Sequence, residues 1–167
     1  MGRMGQLLLA GALAASCGPR QPPSDSALSS GELSGKVLVT GSQPHTTVTL
    51  VPDQGQGVTL VGDLQGELAR LSGAEVRVRG AQRGNPPAGS FEVESYVVTG
   101  IDGEVPTVGI LTATGDALTL VGTDTVELAD VPDELRDRTG AKVWIVGPVA
   151  AGKLAVQSYG ILREGSQ

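Results

Sequence analysis

Cys17 is the one cysteine of the chain, and it closes a short apolar run, Leu7-Leu8-Leu9-Ala10-Gly11-Ala12-Leu13-Ala14-Ala15-Ser16. A thiol can serve as a nucleophile or as a metal ligand, or it can carry a covalent group. The rest of the sequence gives little support to the first two roles. His45 is the only histidine, with no cysteine or metal-spaced carboxylate near it, so the usual zinc ligand set cannot be assembled. A Ser-His-Asp triad would have to use His45, and no Gly-x-Ser-x-Gly elbow is present. Asp130, Asp133, Glu134 and Asp137 cluster, but acidic residues at a helix start explain them better than paired acid–base chemistry. Asp53-Gln54-Gly55-Gln56-Gly57 reads as a turn without the alternating carboxylates of a calcium loop. No glycine-rich phosphate loop opens a helix. The sequence therefore predicts no catalytic residues, no metal site and no cofactor. Covalent attachment at Cys17 is the chemistry that stands out.

The residues before Cys17 have the three regions of an export signal: Arg3, the apolar stretch Leu7 to Ala15, and small residues at the cysteine. The stretch is far shorter than the roughly 20 residues that span a bilayer. Residues 1–16 resemble a bacterial lipoprotein signal peptide, with Ala14-Ala15-Ser16-Cys17 in the place of the lipobox. Ala14 stands where that family usually has leucine. The resemblance implies a mature chain starting at Cys17, with acyl groups such as palmitate on its sulfur and amine, anchored in the membrane of the cell envelope. Gly18 in place of an aspartate points, within that resemblance, to the outer membrane rather than the inner. Two other readings stay open: cleavage after Ala12-Leu13-Ala14 with Cys17 left as a free thiol, or an unmodified Cys17. Residues 17–31, rich in Pro, Ser and Gly, read as a flexible tether reaching on the order of 20 Å.

The formal net charge is −6, and the aromatic residues are Phe91, Tyr96, Trp144 and Tyr159. Single-strand binders need a positive groove and stacking rings, so nucleic acid is not an expected partner. Arg77, Arg79 and Arg83 form the one basic patch, with Glu75, Glu92 and Glu94 close in sequence. Valine, threonine and leucine carry the hydrophobicity among 25 glycines, which predicts short β-strands joined by tight turns.

The part after the tether contains itself twice. Val58-Thr59-Leu60-Val61, Leu68, Gly73 and Ala74-Glu75-Val76-Arg77-Val78 are answered by Val126-Glu127-Leu128-Ala129, Leu135, Gly140 and Ala141-Lys142-Val143-Trp144-Ile145. Thr49-Leu50-Val51 matches Thr119-Leu120-Val121, and Val93-Glu94-Ser95-Tyr96 matches Val156-Gln157-Ser158-Tyr159. Upstream, Ser34-Gly35-Lys36-Val37 is paired with Asp102-Gly103-Glu104-Val105. A repeat of this extent places one unit at residues 32–99 and a second at 100–165. In the first, strands are expected at 33–40, 46–52, 57–62, 74–80 and 90–98. A helix is expected at 64–72, because Leu64, Leu68 and Leu71 share one face and Gly73 follows.

Three strands, a helix and two strands is the order of the OB fold, a five-stranded barrel. The chain is similar to exported bacterial OB-fold domains, and the resemblance predicts two tandem OB-like barrels, each with a short helix between strands three and four. An SH3-like barrel or a two-sheet sandwich is the structural alternative. If an OB-type ligand face exists, the loops of the first unit offer Gln43, His45, Arg83 and Asn85. Arg77 and Arg79 of the first unit become Trp144 and Val146 in the second, which makes that strand apolar on both faces. Either the first unit covers Trp144, or Trp144 and Val146 form a docking surface for another protein. The leading expectation is a lipid-anchored, non-catalytic envelope protein that acts as a binding or scaffolding module, held to the membrane through Cys17 and open to a protein partner. The alternative is a soluble periplasmic protein that binds a small ligand through the loops of the first unit.

Overall fold

The structure is a computed structural model, and it describes residues 30–42, 45–84, 89–115 and 117–165. Cys17, the signal and most of the tether lie outside the described residues, as do Gln43 and Asn85. The chain is mainly β, arranged as two sheets. The first holds β1 (Ser30–Thr40), β2 (Thr47–Val51), β3 (Val58–Val61), β4 (Glu75–Arg83) and β5 (Ser90–Gly100), with α1 (Gln65–Ala69) between β3 and β4. Its order is β1-β2-β3-β5-β4, and it closes because β1 also pairs with β4. The β3–β5 pair is parallel and the others are antiparallel. β1 begins at Ser30, inside the stretch assigned to the tether, and its first seven residues are held by β4.

The second sheet contains β6 (Thr107–Thr114), β7 (Ala117–Val121), β8 (Thr125–Ala129), β9 (Lys142–Val146), β10 (Val149–Ala150), β11 (Lys153–Ala155) and β12 (Ser158–Arg163). α2 (Asp133–Arg136) sits between β8 and β9. The strand order is β10-β11-β8-β7-β6-β9-β12. Seven strands appear where five are expected, because the fourth and fifth strands of this unit are each interrupted. The cause lies in the sequence. A Cβ on Gly80 would meet the Glu92 carbonyl at 1.9 Å, and a Cβ on Gly147 would meet the Ala155 carbonyl at 1.8 Å, so both units need glycine at this close approach. In the first unit β4 passes it with a register shift and continues through Ala81. In the second, Pro148 follows, has no N–H for the ladder, and the strand stops. The parallel β3–β5 contact is then reproduced by β11 on β8, with Leu154 beside Leu128 as Phe91 is beside Leu60.

Strand pairing also corrects one part of the repeat alignment. Lys36 pairs with Val51, and Ile110 pairs with Val121, so Gly35 corresponds to Gly109 rather than to Gly103. Residues 101–104 form the tight turn between the units, closed by the Ile101–Glu104 bridge with Asp102 and Gly103 at φ 50° and 86°. A Gly-containing turn had imitated the start of a strand.

α1 is shorter than the leucine spacing suggests, but the anchoring of the two helices is duplicated in detail. The Gly73 N–H donates to the Val37 carbonyl at 2.8 Å, and the Gly140 N–H donates to the Leu111 carbonyl at 2.8 Å. Both glycines have positive φ, 87° and 86°, as a residue just past a helix end requires. Leu68 and Leu135 are fully buried, each on its own core, and such burial contributes about 1.5–3 kcal/mol per side chain. The first core gathers Val37, Val48, Leu50, Leu60, Leu68, Val76, Val78 and Phe91, but it also contains Leu162 of β12, with Val108 and Trp144 packed against it. The two units are therefore joined through apolar contact.

Candidate functional site

At this junction the polar groups converge on Glu67, on α1. It is the one charged residue among the buried side chains described. Its Oε2 accepts the Tyr96 hydroxyl at 2.6 Å and the Lys142 ammonium at 2.6 Å, while Arg163 lies 3.3 Å from Oε1. Tyr96 comes from β5 of the first unit; Lys142 opens β9 and Arg163 ends β12 of the second. Lys142 Nζ also stands 4.4 Å from the centre of the Tyr96 ring, over its negative face. A carboxylate has about four acceptor directions; here Oε2 accepts two hydrogen bonds and Oε1 faces the Arg163 guanidinium.

Electrostatics follow from this packing. Burial by itself pushes the Glu67 carboxyl up, but hydrogen bonds from Lys142 and Tyr96 and the charges of Lys142 and Arg163 outweigh it, so the net shift is downward. The Tyr96 hydroxyl is pushed well above its ordinary value, first by burial and then by its hydrogen bond to Glu67 and that carboxylate's charge. Both oxygens of the carboxylate are engaged. Beside it, Arg70, which caps the C-terminal end of α1, donates to the Ile161 carbonyl at 3.3 Å and lies 3.8 Å from Glu164, which adds a second polar tie between the units.

Two clefts flank the junction. One, of about 340 Å³, lies between the units and is lined by Tyr96, Thr107, Thr123, Asp124 and Lys142. The other, of about 760 Å³, runs between the β1–β2 connection and α1 and includes Ser42, Thr46, Gln65 and Arg70. His45 and Arg83, the described residues of the expected ligand loops, line neither. His45 is exposed, with its backbone N–H donated to the Ser42 carbonyl. Arg83 donates through Nε to Glu92 at 2.6 Å. The basic patch is paired as well: Arg77 and Arg79 share Glu32 of β1, at 3.5 and 3.1 Å. Among the described residues, no group of three metal-binding side chains forms and no helix is long and apolar enough to cross a membrane.

Trp144 is half-buried and packs on the first core, and Val146 is buried. The indole lies across Gly160, its partner on β12, where a Cβ would come within 2.4 Å of Nε1. In the first unit the corresponding cross-strand pair is Arg77 with Val97, both exposed. Glu67, Tyr96, Lys142 and Arg163 were not singled out in the sequence. Their signal was a charge difference between copies, since Lys142 answers Glu75, and Arg163 falls where the first unit has Gly100.

One half of the cluster is present twice. In the second unit the Tyr159 hydroxyl donates to Glu134 Oε2 at 2.6 Å, and the partner residues occupy the same places on helix and strand. Glu134 is exposed there. The Tyr159 hydroxyl is raised above its ordinary value, chiefly by that hydrogen bond. Comparison with protein-family models, with curated proteins and with solved structures finds no match for this chain.

Proposed function

We propose that the chain is a lipid-anchored, non-catalytic protein of the bacterial cell envelope, in which two tandem OB-like barrels act as one binding or scaffolding body. The barrel reading is supported by the helix between the third and fourth strands of each unit and by the closure of β1 on β4. It is also supported by the near-continuity of β9 with β10 and of β11 with β12, which restores five strands to the second unit. The anchor rests on Cys17 and the signal-like residues before it.

The observation that carries the functional reading is the buried Glu67 carboxylate, which is held by groups from both units. A buried carboxylate facing a cleft with a free proton site would suggest acid–base work. This one is engaged on both oxygens by Tyr96, Lys142 and Arg163, and so ties two small domains into a single platform. A platform on a tether near a membrane is suited to holding a partner in place. The test is to grow cells with a radiolabelled fatty acid and compare the wild type with Cys17→Ser. Label and membrane fractionation are expected in the wild type and lost in the variant. Unchanged label and fractionation would overturn the anchor and leave the soluble alternative.

A further inference from the structure

The chain shows how its own Tyr–Glu pair is used when a neighbour covers it. Tyr96–Glu67 seats the second unit, which brings two cations, Lys142 and Arg163, to the carboxylate, and adds the apolar Trp144, Val108 and Leu162 beside them. Tyr159–Glu134 repeats the pair with the same 2.6 Å hydrogen bond on the outer side of the second unit, where Glu134 is exposed and accepts only the phenol hydroxyl among the described contacts. The nearby cations are already engaged: Arg136 with Asp133, and Arg138 with Glu164. Asp130, Asp133 and Asp137 are exposed in the same region.

We propose that the Tyr159–Glu134 face is a second docking seat, and that its occupant is a different protein presenting a lysine or arginine from a strand. This rests on the reading of the chain as a binding module. The occupant's chemistry follows from the seat already filled within the chain. A second copy of this chain is disfavoured by charge. The part of its first unit that corresponds to the docking edge of the second carries Glu75 where Lys142 stands, and Gly100 where Arg163 stands. Glu75 against Glu134 would place like charges together. The Lys142–Arg163 edge itself is occupied by Glu67.

The experiment uses the full chain in its own cells. A photo-crosslinking residue replaces Asp133, which is fully exposed beside Glu134, and a control residue replaces Val149, 66% exposed on β10. The expected result at position 133 is a discrete crosslinked protein whose attached peptide, read by mass spectrometry, contains lysine or arginine. Its yield falls about tenfold or more when Glu134→Lys is added, and is unchanged by Glu127→Lys on β8. No discrete product at 133 overturns the seat. So does a product that is insensitive to Glu134→Lys, one equal to that at position 149, or a crosslink to another copy of the chain. The thermal midpoint of the purified Glu134→Lys protein is expected to match the wild type, since Glu134 is exposed; a large fall would shift the test to Tyr159→Phe, which keeps the ring and must still lower the yield. Fatty-acid label measured on the same cells separates failure of the seat from failure of the anchor.

Discussion

Two copies of one hydrogen bond sit in opposite surroundings. In the first unit, the carboxylate of Tyr96–Glu67 is buried and pinned by two cations from across the junction. In the second, the carboxylate of Tyr159–Glu134 faces solvent. The local sequence builds the pair in both; what lies over it decides whether the pair matters for stability. An exposed pair gains little, because water competes for each partner and side-chain freedom is lost. A buried one must be answered fully or not made at all, since an uncompensated charge inside is costly. The strands next to the pairs diverge in the same sense. Arg77 beside Val97 is a solvated face, while Trp144 beside Gly160 is a face built to be covered.

The largest test of this contrast is to neutralise each carboxylate in turn. Glu67→Gln keeps an acceptor for Tyr96 but leaves Lys142 beside an uncharged amide. The expected loss is about 3 kcal/mol, at the low end for a buried pair because Lys142 and Arg163 keep some access to water. Glu134→Gln should cost less than about 0.5 kcal/mol. Urea unfolding of both variants reads the difference. Equal losses would mean that the junction adds nothing beyond the local pair.

Next in size is the apolar half of the junction. Gly160→Ala places a methyl against Trp144 Nε1 and Cε2, at 2.4 and 2.6 Å from the ideal Cβ, so the indole must leave its place on the first core. About 2 kcal/mol is expected for this overpacking. The chain has one tryptophan, so the same protein gives a direct optical report. Acrylamide should quench the wild-type fluorescence slowly and the variant's faster. Val97→Ala, at the corresponding exposed position of the first unit, should change neither stability nor quenching. If wild-type quenching is as fast as that of free tryptophan, Trp144 is not covered within the chain.

Acid should remove the difference between the two carboxylates. The Glu67 carboxyl is lower in the folded chain than its ordinary value of 4.5. A group lowered by folding contributes stability that is present in full above the unfolded value and is lost as pH falls through the folded one. The gap between wild type and Glu67→Gln should therefore be constant near neutrality and shrink below pH 4.5, as Glu67 takes up its proton. Urea midpoints across that window check it. A gap that widened on acidification would reverse the assigned direction.

Much of the architecture could be read from residues alone. Val76 and Val78 alternate with Glu75, Arg77 and Arg79 along β4, and those valines are fully buried. The leucine spacing located the helix of the first unit and the repeat placed its counterpart, although the observed α1 is shorter, because it ends in a turn that hydrogen-bonds to the first strand of its unit. What the pattern could not give was anything that depends on two distant segments meeting. Periodicity marks which side of a strand is buried, and it is silent on which carboxylate a lysine 75 residues away will reach. The pairing of Gly35 with Gly109 was missed for a related reason, since a turn glycine and a strand glycine look alike until their hydrogen bonds are known. Charge that changes sign between repeats, as at Glu75 and Lys142, was the legible trace of the junction.

The finest comparison is between the two phenols, and the chain suits it because Tyr96 and Tyr159 are its only tyrosines. Both hydroxyls are raised above the ordinary value of 10.0, but for different leading reasons. Burial dominates at Tyr96, whereas the hydrogen bond to Glu134 dominates at Tyr159. Tyrosinate absorbance should therefore rise in two steps as pH increases, Tyr159 first and Tyr96 later, with the second step near alkaline unfolding. Tyr159→Phe should delete the early step, and Tyr96→Phe the late one. A phenol raised by folding contributes stability that is complete below its unfolded value and disappears as pH climbs through the folded one, so the phenol's own contribution to each pair is lost only on the alkaline side. Coincident steps at the ordinary value would show that neither hydrogen bond persists in solution. A protein that covered the outer pair and brought a cation to Glu134 would bury Tyr159 as the second unit buries Tyr96. The two steps would then move together, and the difference between the copies would close.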